Sequence, residues 1–240
     1  MLNQNKLHNQ QQNRIAKEQN KKPPSPIFFG RNETVTDSLK IIVISTSYAR
    51  EDEVDILGDL FVNGLDSFHL RKPDFSTEQT WEYLDGVPEK YHHRLVLHHR
   101  HHLLASYPLK GLHFTEARLK KEIGRIEELR EKHPGIHLSA SLHHIDDLKI
   151  LGHLFDYVFL SPIFDSTSKK DYKAAFDLET LSPILKSMPV KVIALGGVTE
   201  GKMKTIRELG FSGAAVLGAV WNEEDPVKAF HQIKKAAEAA

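Results

Sequence analysis

Three absences limit what this chain can be. It has no cysteine, which excludes disulfides, thiolate nucleophiles and cysteine-ligated metal centres. Lys plus Arg and Asp plus Glu are equal at 32 each, so no net charge attracts nucleic acid or an anionic membrane surface. No apolar run approaches the roughly 18 residues that span a bilayer, and no apolar signal-peptide core is present. We therefore expect a cytoplasmic protein without nucleic-acid or membrane partners.

Residues 1–38 are rich in Asn, Gln and Lys and offer little apolar surface before Ile27. Such a composition buries too little to offset the entropy that a chain loses on ordering. We predict a disordered extension over 1–38, followed by one domain over 39–240. The alternative is that the extension forms a lid over the barrel or binds a neighbouring subunit through Phe28 and Phe29.

From Leu39 onward, short β-branched or apolar runs alternate with segments whose apolar residues recur every three or four positions. The former are typical of strands and the latter of amphipathic helices. Eight repeated units favour a single (β/α)8 TIM barrel over an open parallel sheet, which spacing alone does not exclude. The predicted strands are 41–46, 65–70, 95–98, 111–114, 136–141, 156–160, 190–195 and 213–217. The predicted helices are 54–62, 77–84, 118–132, 145–151, 178–185, 202–209 and 226–237.

Two predicted strands in succession end in glycine turns. In a (β/α)8 barrel the active site lies at the carboxyl ends of the strands. Glycine lets the backbone approach a ligand closely, and free N–H groups at the start of a helix suit a phosphate dianion. We predict that Gly196, Gly197, Leu217 and Gly218 bind a phosphate group. The alternative is that these glycines only make tight turns.

Cations follow two other strands. Arg71 ends the second strand, and its planar guanidinium suits a phosphate or carboxylate. Lys72 is predicted to bind substrate as well, unless it lies on the opposite face of the extended chain as a solvated charge. Lys169 lies in a hydroxyl-rich loop over 161–170, for which we predict a lid that closes on the substrate rather than an ordinary connector.

Six histidines fall between residues 92 and 102. Adjacent histidines on a strand point to opposite faces, and the stretch supplies no carboxylate to share a hydrolytic metal. We therefore expect no metal site there, only packed or surface histidines. His98 is the exception, because its place at a strand end predicts contact with the ligand.

Ser141 and His143 follow the fifth strand. His143 is the strongest candidate for a general base, because imidazole titrates near neutral pH and can both take and return a proton. The alternative is that His143 caps the following helix. We expect the Ser141 hydroxyl to contact the ligand at the same end of the barrel.

Six segments together resemble the thiamine phosphate synthase and TenI (thiazole tautomerase) superfamily, over Ile41 to about Ala236. The resemblance implies a (β/α)8 barrel that binds the phosphate of 4-methyl-5-hydroxyethylthiazole at Gly197 and Gly218. The segments are LRK at 70–72, GLHF at 111–114, SASLHH at 139–144, SPIFDSTSKK at 161–170, ALGGV at 194–198 and AAVLGA at 214–219.

The synthase branch uses magnesium to join the thiazole phosphate to hydroxymethylpyrimidine diphosphate, releasing pyrophosphate. Its members usually carry Asn-Asp after strand three and a second aspartate after strand four, where this chain has His98-His99 and Arg118. Magnesium prefers hard oxygen ligands. The branch's cation-binding lysine, two places after the arginine, is also displaced, because Arg71 and Lys72 are adjacent.

The TenI branch isomerises a thiazole carboxylate phosphate to its aromatic tautomer without a metal. Its proton-transfer histidine follows strand five, and Ser141-Leu142-His143 matches that segment, although His98 replaces the asparagine usual in both branches. The resemblance therefore implies a tautomerase-like enzyme without a cofactor, in which Arg71 holds the carboxylate. Two alternatives stay open: a synthase, with Mg²⁺, and a non-catalytic sensor of thiazole or thiamine phosphate. A homodimer is also open.

Overall fold

The computed structural model describes residues 38–165 and 174–240, so the predicted extension lies almost wholly outside the described residues. Eight parallel strands close into one barrel, each paired with its neighbours in sequence and β8 paired with β1. The predicted (β/α)8 TIM barrel is confirmed. The strands are β1 Lys40–Ile44, β2 Ser67–Leu70, β3 Leu95–Leu97, β4 Gly111–Phe114, β5 His137–Leu142, β6 Tyr157–Leu160, β7 Lys191–Ala194 and β8 Gly213–Val216.

Helices connect most of these strands on the outside of the barrel. Local signals fix several helix starts: Ser76 and Gln79 form a capping box, and the Asp225 side chain accepts from the Lys228 N–H. The helices are α1 Glu53–Val62, α2 Thr77–Gly86, α3 Glu116–Glu122, α4 Ile126–Lys132, α5 Ile145–Leu151, α6 Leu178–Ser187, α7 Met203–Leu209, α8 Gly218–Trp221 and α9 Pro226–Glu238. None of the described helices is long and apolar enough to cross a membrane.

The expected helix over 118–132 is interrupted in the structure. A 3₁₀ turn over Ile123–Arg125 separates α3 from α4. Gly124 lies in that turn, and glycine is a poor helix former because of its backbone freedom. The apolar spacing continues through the break, so the periodicity alone does not reveal it.

The core has two layers, because successive residues of each strand point to opposite faces. The larger layer packs between the barrel wall and the helices. A small separate cluster lies on the inner face and comprises Ile42, Ile44, Tyr157, Phe159, Ile193 and Ala215. Apolar side chains thus fill only part of the barrel interior, and polar side chains occupy the inner face of β2, β4 and β5.

Candidate active site

His69 on β2, His98 just after β3 and His113 on β4 form a buried group, here called the histidine cluster. One ring nitrogen from each lies within 4.8 Å of those from the other two. The His69 Nδ1 atom is 2.9 Å from His98 Nε2, and the rings of His98 and His113 stack with centroids 4.0 Å apart. Neighbouring strands and alternating faces bring the three together, although they are far apart in the sequence.

Hydroxyl groups complete the hydrogen bonding of two of these rings. Tyr157 OH is 2.8 Å from His69 Nε2. The two nitrogens of His113 lie 2.9 Å from Ser139 Oγ and 2.8 Å from Ser141 Oγ. Because each ring is held at both nitrogens, its orientation is fixed before any ligand binds. Ser141, predicted to contact ligand, therefore also supports His113.

Burial controls the protonation of the histidine cluster. It lowers the pKa of His69 and His98 well below the usual value and that of His113 to about 3, with neighbouring imidazoles adding to the effect. The nearby positive charge of Arg71 lowers the pKa of His98 and His113 further. Burial also raises the pKa of the Tyr157 hydroxyl. The cluster is therefore neutral at physiological pH, and His98 Nδ1 is buried without a hydrogen-bond partner among the described residues.

Arg71 lies on the mouth side of this cluster. It follows β2, its side chain is partly buried, and its backbone N–H donates to Ser45 Oγ at 2.8 Å. The sequence predicted that Arg71 and His98 both face the ligand, and the structure brings their side chains near each other. Contact with a ligand stays a prediction for both.

Lys72 is buried against the start of α1 rather than solvated. It is 2% exposed and forms an ion pair with the fully buried Glu53 of α1. Its Nζ atom also donates to Thr46 Oγ1 at 2.8 Å and to the Tyr48 carbonyl at 2.5 Å. A buried ammonium needs these partners, because its desolvation is costly. The solvated-charge alternative for Lys72 is wrong, because the side chain is buried. Substrate binding by Lys72 stays a prediction, and a ligand would compete with these protein oxygens for its N–H donors.

His143 follows β5 with its Nδ1 atom 2.9 Å from the Ser161 carbonyl oxygen. A carbonyl only accepts, so Nδ1 carries the proton and Nε2 keeps its lone pair. The Nε2 atom is 3.8 Å from Glu116 Oε2, and the side chain is 32% exposed. The helix-capping alternative is wrong, because α5 has His144 as its N-cap residue and no side-chain cap bond.

The glycine turn after β7 adopts a backbone conformation that other residues rarely adopt. Gly196 has φ 92° and Gly197 has φ 63°. A Cβ atom at Gly196 would lie 2.9 Å from Pro162 Cα, and one at Gly197 would lie 2.3 Å from the Asp165 carbonyl oxygen. The turn thus packs against the loop after β6, so a tight-turn role is real and phosphate binding would be additional to it.

The second glycine turn lies beside the first, because β7 and β8 pair in parallel. Leu217 is the N-cap residue of the short helix α8, which Gly218 begins. The first N–H groups of a helix have no acceptor within it. Gly197 and Gly218 therefore follow adjacent strands, as expected. Phosphate binding remains a prediction.

The predicted lid lies mostly outside the described residues. The structure describes the loop after β6 only through Asp165 and again from Ala174, so the predicted role of Lys169 is not addressed. At the edges of this segment, the Ala174 N–H donates to Asp165 Oδ1 at 2.8 Å.

The sequence pattern predicts no role for His69, Tyr157 or Ser139, which the structure places around the most polar part of the barrel interior. The histidines within 92–102 are close in sequence, whereas the histidine cluster combines residues of β2, β4 and the segment after β3. A signal existed: inward positions of β2, β4 and β5 carry imidazoles or hydroxyls where a barrel usually carries branched apolar residues.

Together, the fold and these groups define a (β/α)8 barrel with imidazole, guanidinium and glycine turns at one end. A family model described as thiamine monophosphate synthase matches residues 40–220. The chain belongs to this family, and the resemblance predicted from the sequence is confirmed.

Relatives of known name agree with this family over most of the chain. Thiamine-phosphate synthase of Clostridium tetani is 24% identical over 206 residues, covering 84% of this chain and 96% of that protein. The structure of thiamine phosphate pyrophosphorylase from Bacteroides thetaiotaomicron is 31% identical, covers 83% of this chain and 98% of its own, and has a TM-score of 0.68. Its counterpart from Pyrococcus furiosus, 21% identical with a TM-score of 0.70, shows the shared fold.

The residues that the resemblance places at the synthase magnesium site do not fit that ion. His98 and His99 offer imidazole nitrogens in place of the amide and carboxylate oxygens that Mg²⁺ prefers. Arg118 is a cation, paired with Glu122 at 3.1 Å. No step of a reaction is therefore assigned to magnesium in this chain.

Proposed function

We propose that the chain is a thiazole tautomerase-like enzyme of thiamine biosynthesis that binds a thiazole phosphate and transfers a proton through His143. The arrangement of His143 is the observation that carries this proposal. Its Nδ1–H group donates to the Ser161 carbonyl oxygen, which leaves the Nε2 lone pair available as a base. Its partly exposed side chain can be reached by a small molecule.

Glu116 is the acidic side chain beside this base. Its carboxylate oxygen lies 3.8 Å from His143 Nε2. Glu116 also pairs with Lys120 at 2.6 Å, which holds its carboxylate in place.

The reaction balances without an added oxidant, reductant or metal. His143 Nε2 removes the proton from C2 of the thiazole ring, and the electron pair of the broken C–H bond moves into the ring. The exocyclic carbon gains a proton, which the imidazolium or another acid supplies, and the ring becomes aromatic. A positioned proton donor and acceptor contribute about 10²–10⁴-fold to such transfers.

The two ends of the substrate are assigned to different groups. Gly196, Gly197, Leu217 and Gly218 would hold the phosphate through backbone N–H groups, and Arg71 would hold the carboxylate through its planar guanidinium. Only β1 separates these two sides of the barrel mouth. His98 and Ser141 would contact the ring between them.

The second candidate is thiamine phosphate synthase, which the names of the relatives favour. The groups present argue against it, because His99 and Arg118 stand where the resemblance places the magnesium carboxylates, and the Lys72 amine is bound to Glu53. A non-catalytic sensor would bind the phosphate and turn over neither substrate set.

One paired assay separates these candidates. The full chain is incubated with the thiazole carboxylate phosphate, and separately with both synthase precursors, each with and without Mg²⁺. We expect tautomer conversion that is indifferent to Mg²⁺ and no thiamine phosphate. Robust thiamine phosphate formation would establish the synthase, and tight binding without turnover would establish the sensor.

Substitution of the base, His143, tests its role directly. His143→Asn should lower tautomer conversion by about 10²–10⁴-fold, because the amide cannot accept the proton as imidazole does. The exposed His231→Asn is a matched control that should keep full activity. Conversion by His143→Asn at the wild-type rate, in a folded protein, would remove His143 from the mechanism.

A further inference from the structure

The histidine cluster has the donors and geometry of a metal site that the proposed function does not use. We propose that His69, His98 and His113 bind one divalent transition-metal ion, of which Zn²⁺ is the representative case. This goes beyond both the tautomerase and the synthase, since neither uses a zinc-type site. It also differs from the expectation of no metal site within 92–102, because two of the three histidines lie outside that stretch.

The spacing of the nitrogens suits one ion. Two nitrogens bound to a tetrahedral Zn²⁺ at about 2.0–2.1 Å lie about 3.4 Å apart. In the cluster, His69 Nδ1 and His98 Nε2 are 2.9 Å apart, and all three donors fall within 4.8 Å. Sharing one ion would require the rings of His98 and His113 to turn out of their stacked arrangement, in which the interplanar angle is 24°. The strands that carry His69 and His113 are hydrogen-bonded into the closed barrel.

The hydroxyls around the cluster act as the outer shell of such a site. Metal-bound histidines usually hydrogen-bond through their second nitrogen, which fixes the ring. Tyr157 meets one nitrogen of His69, while Ser139 and Ser141 meet the two nitrogens of His113, so one serine bond remains after metal binding.

The two nitrogens of His98 have different surroundings. Nε2 faces His69, whereas Nδ1 has no hydrogen-bond partner among the described residues. With the ring proton on Nδ1, the lone pair of Nε2 is available to an ion in the cluster.

The donor set selects the class of metal. Imidazole suits Zn²⁺, Co²⁺, Ni²⁺ and Cu²⁺, whereas Mg²⁺ requires oxygen ligands and retains its waters. Three histidines leave a fourth position open. An anion at that position, such as hydroxide or a carboxylate, would balance the charge of the ion beside Arg71. His98, at the position where the synthase branch usually carries the asparagine of its Asn-Asp pair, would thus be a nitrogen ligand of a different metal.

Metal titration of the full chain tests this proposal in the absence of any thiazole phosphate. The chelator-treated protein is titrated with Zn²⁺ and with Mg²⁺ by calorimetry, and with Co²⁺ by visible absorption. We expect one equivalent of Zn²⁺, a Co²⁺ spectrum of low coordination number with nitrogen ligands, and no heat from Mg²⁺. Absence of Zn²⁺ and Co²⁺ binding overturns the proposal.

Two variants from the same stretch of chain localise the ion. His98→Asn should weaken Zn²⁺ binding by more than about 100-fold, since even loss of an outer-shell partner costs 10–100-fold. His102→Asn, at an exposed position, should bind as the wild type does. Equal affinity in His98→Asn and wild type, or loss of binding in His102→Asn, places the metal elsewhere and contradicts the proposal.

A measurement on the wild-type chain covers the case in which His98→Asn does not fold. Pulsed electron paramagnetic resonance of bound Cu²⁺ counts the imidazoles through their remote nitrogens. Three coordinated imidazoles support the cluster, and fewer contradict it. Since no step of these experiments uses the substrate, tautomerase activity can fail while the metal site stands, and the reverse.

Discussion

The two sides of the barrel interior differ in the polarity of their side chains. On β7, β8 and β1, the inward positions carry apolar side chains, and the strands β7 and β8 end in glycine turns whose only polar groups are backbone atoms. On β2, β4 and β5 the inward positions carry imidazoles and hydroxyls, and with His98 after β3 these groups bond to one another. The same alternation of faces thus yields a backbone site on one side and a side-chain site on the other, which predicts different responses to substitution.

The largest effect is expected on the glycine side. Gly197→Ala should destabilise the protein by about 2–5 kcal/mol, from the left-handed conformation at 1–2 kcal/mol and from overpacking at 1–3 kcal/mol. Urea unfolding measures this change. Gly201→Ala is the control, because a Cβ atom there meets nothing within 4 Å. Equal stability of the two variants would show that the turn relaxes and that close packing does not require glycine.

A fall in pH should lower the stability of the protein through the histidine side instead. The folded-state pKa of His113 is about 3, below an unfolded value of about 6.5, so the unfolded chain binds protons first as pH falls. The stability contribution is full well above pH 6.5 and is lost towards pH 3, at up to about 1.4 kcal/mol per pH unit. Between pH 6.5 and 4.5 this single group should cost about 2.3 kcal/mol.

The control for the acid effect is His113→Phe, which keeps a ring but cannot titrate. Its free energy of unfolding, measured by urea at pH 6.5 and 4.5, should change less than that of the wild type by about the same 2.3 kcal/mol. An unchanged pH dependence in a folded variant would assign the acid sensitivity to other groups.

A smaller effect is expected at Arg71, between the two sides. Arg71→Ala should weaken substrate binding by about 1.5–3 kcal/mol, the range for a hydrogen bond to a charged group. The expected readout is a raised KM, with Arg71→Lys intermediate because it lacks the planar fork. A KM unchanged in Arg71→Ala would mean that another group holds the substrate carboxylate.

The sequence predicts the barrel because alternation of apolar runs is a local property, and all eight strands follow from it. It also predicts that the two glycine turns are neighbours, since consecutive strands pair. The histidine cluster is not local: His69 and His113 meet only through closure of the sheet. The sequence does not predict the ion pair between Lys72 and Glu53 either. Apolar spacing does not define the rotation of α1 about its axis in enough detail to place Glu53.

The buried pair of Lys72 and Glu53 also has a mechanical consequence. It joins the segment after β1, through Thr46 and Tyr48, to the start of α1 and to the segment after β2. Separating any of these would expose an unpaired buried charge, so they open together or not at all. Arg71 therefore follows a segment that unfolds as one unit, and its guanidinium extends from a fixed backbone rather than from an independently moving loop.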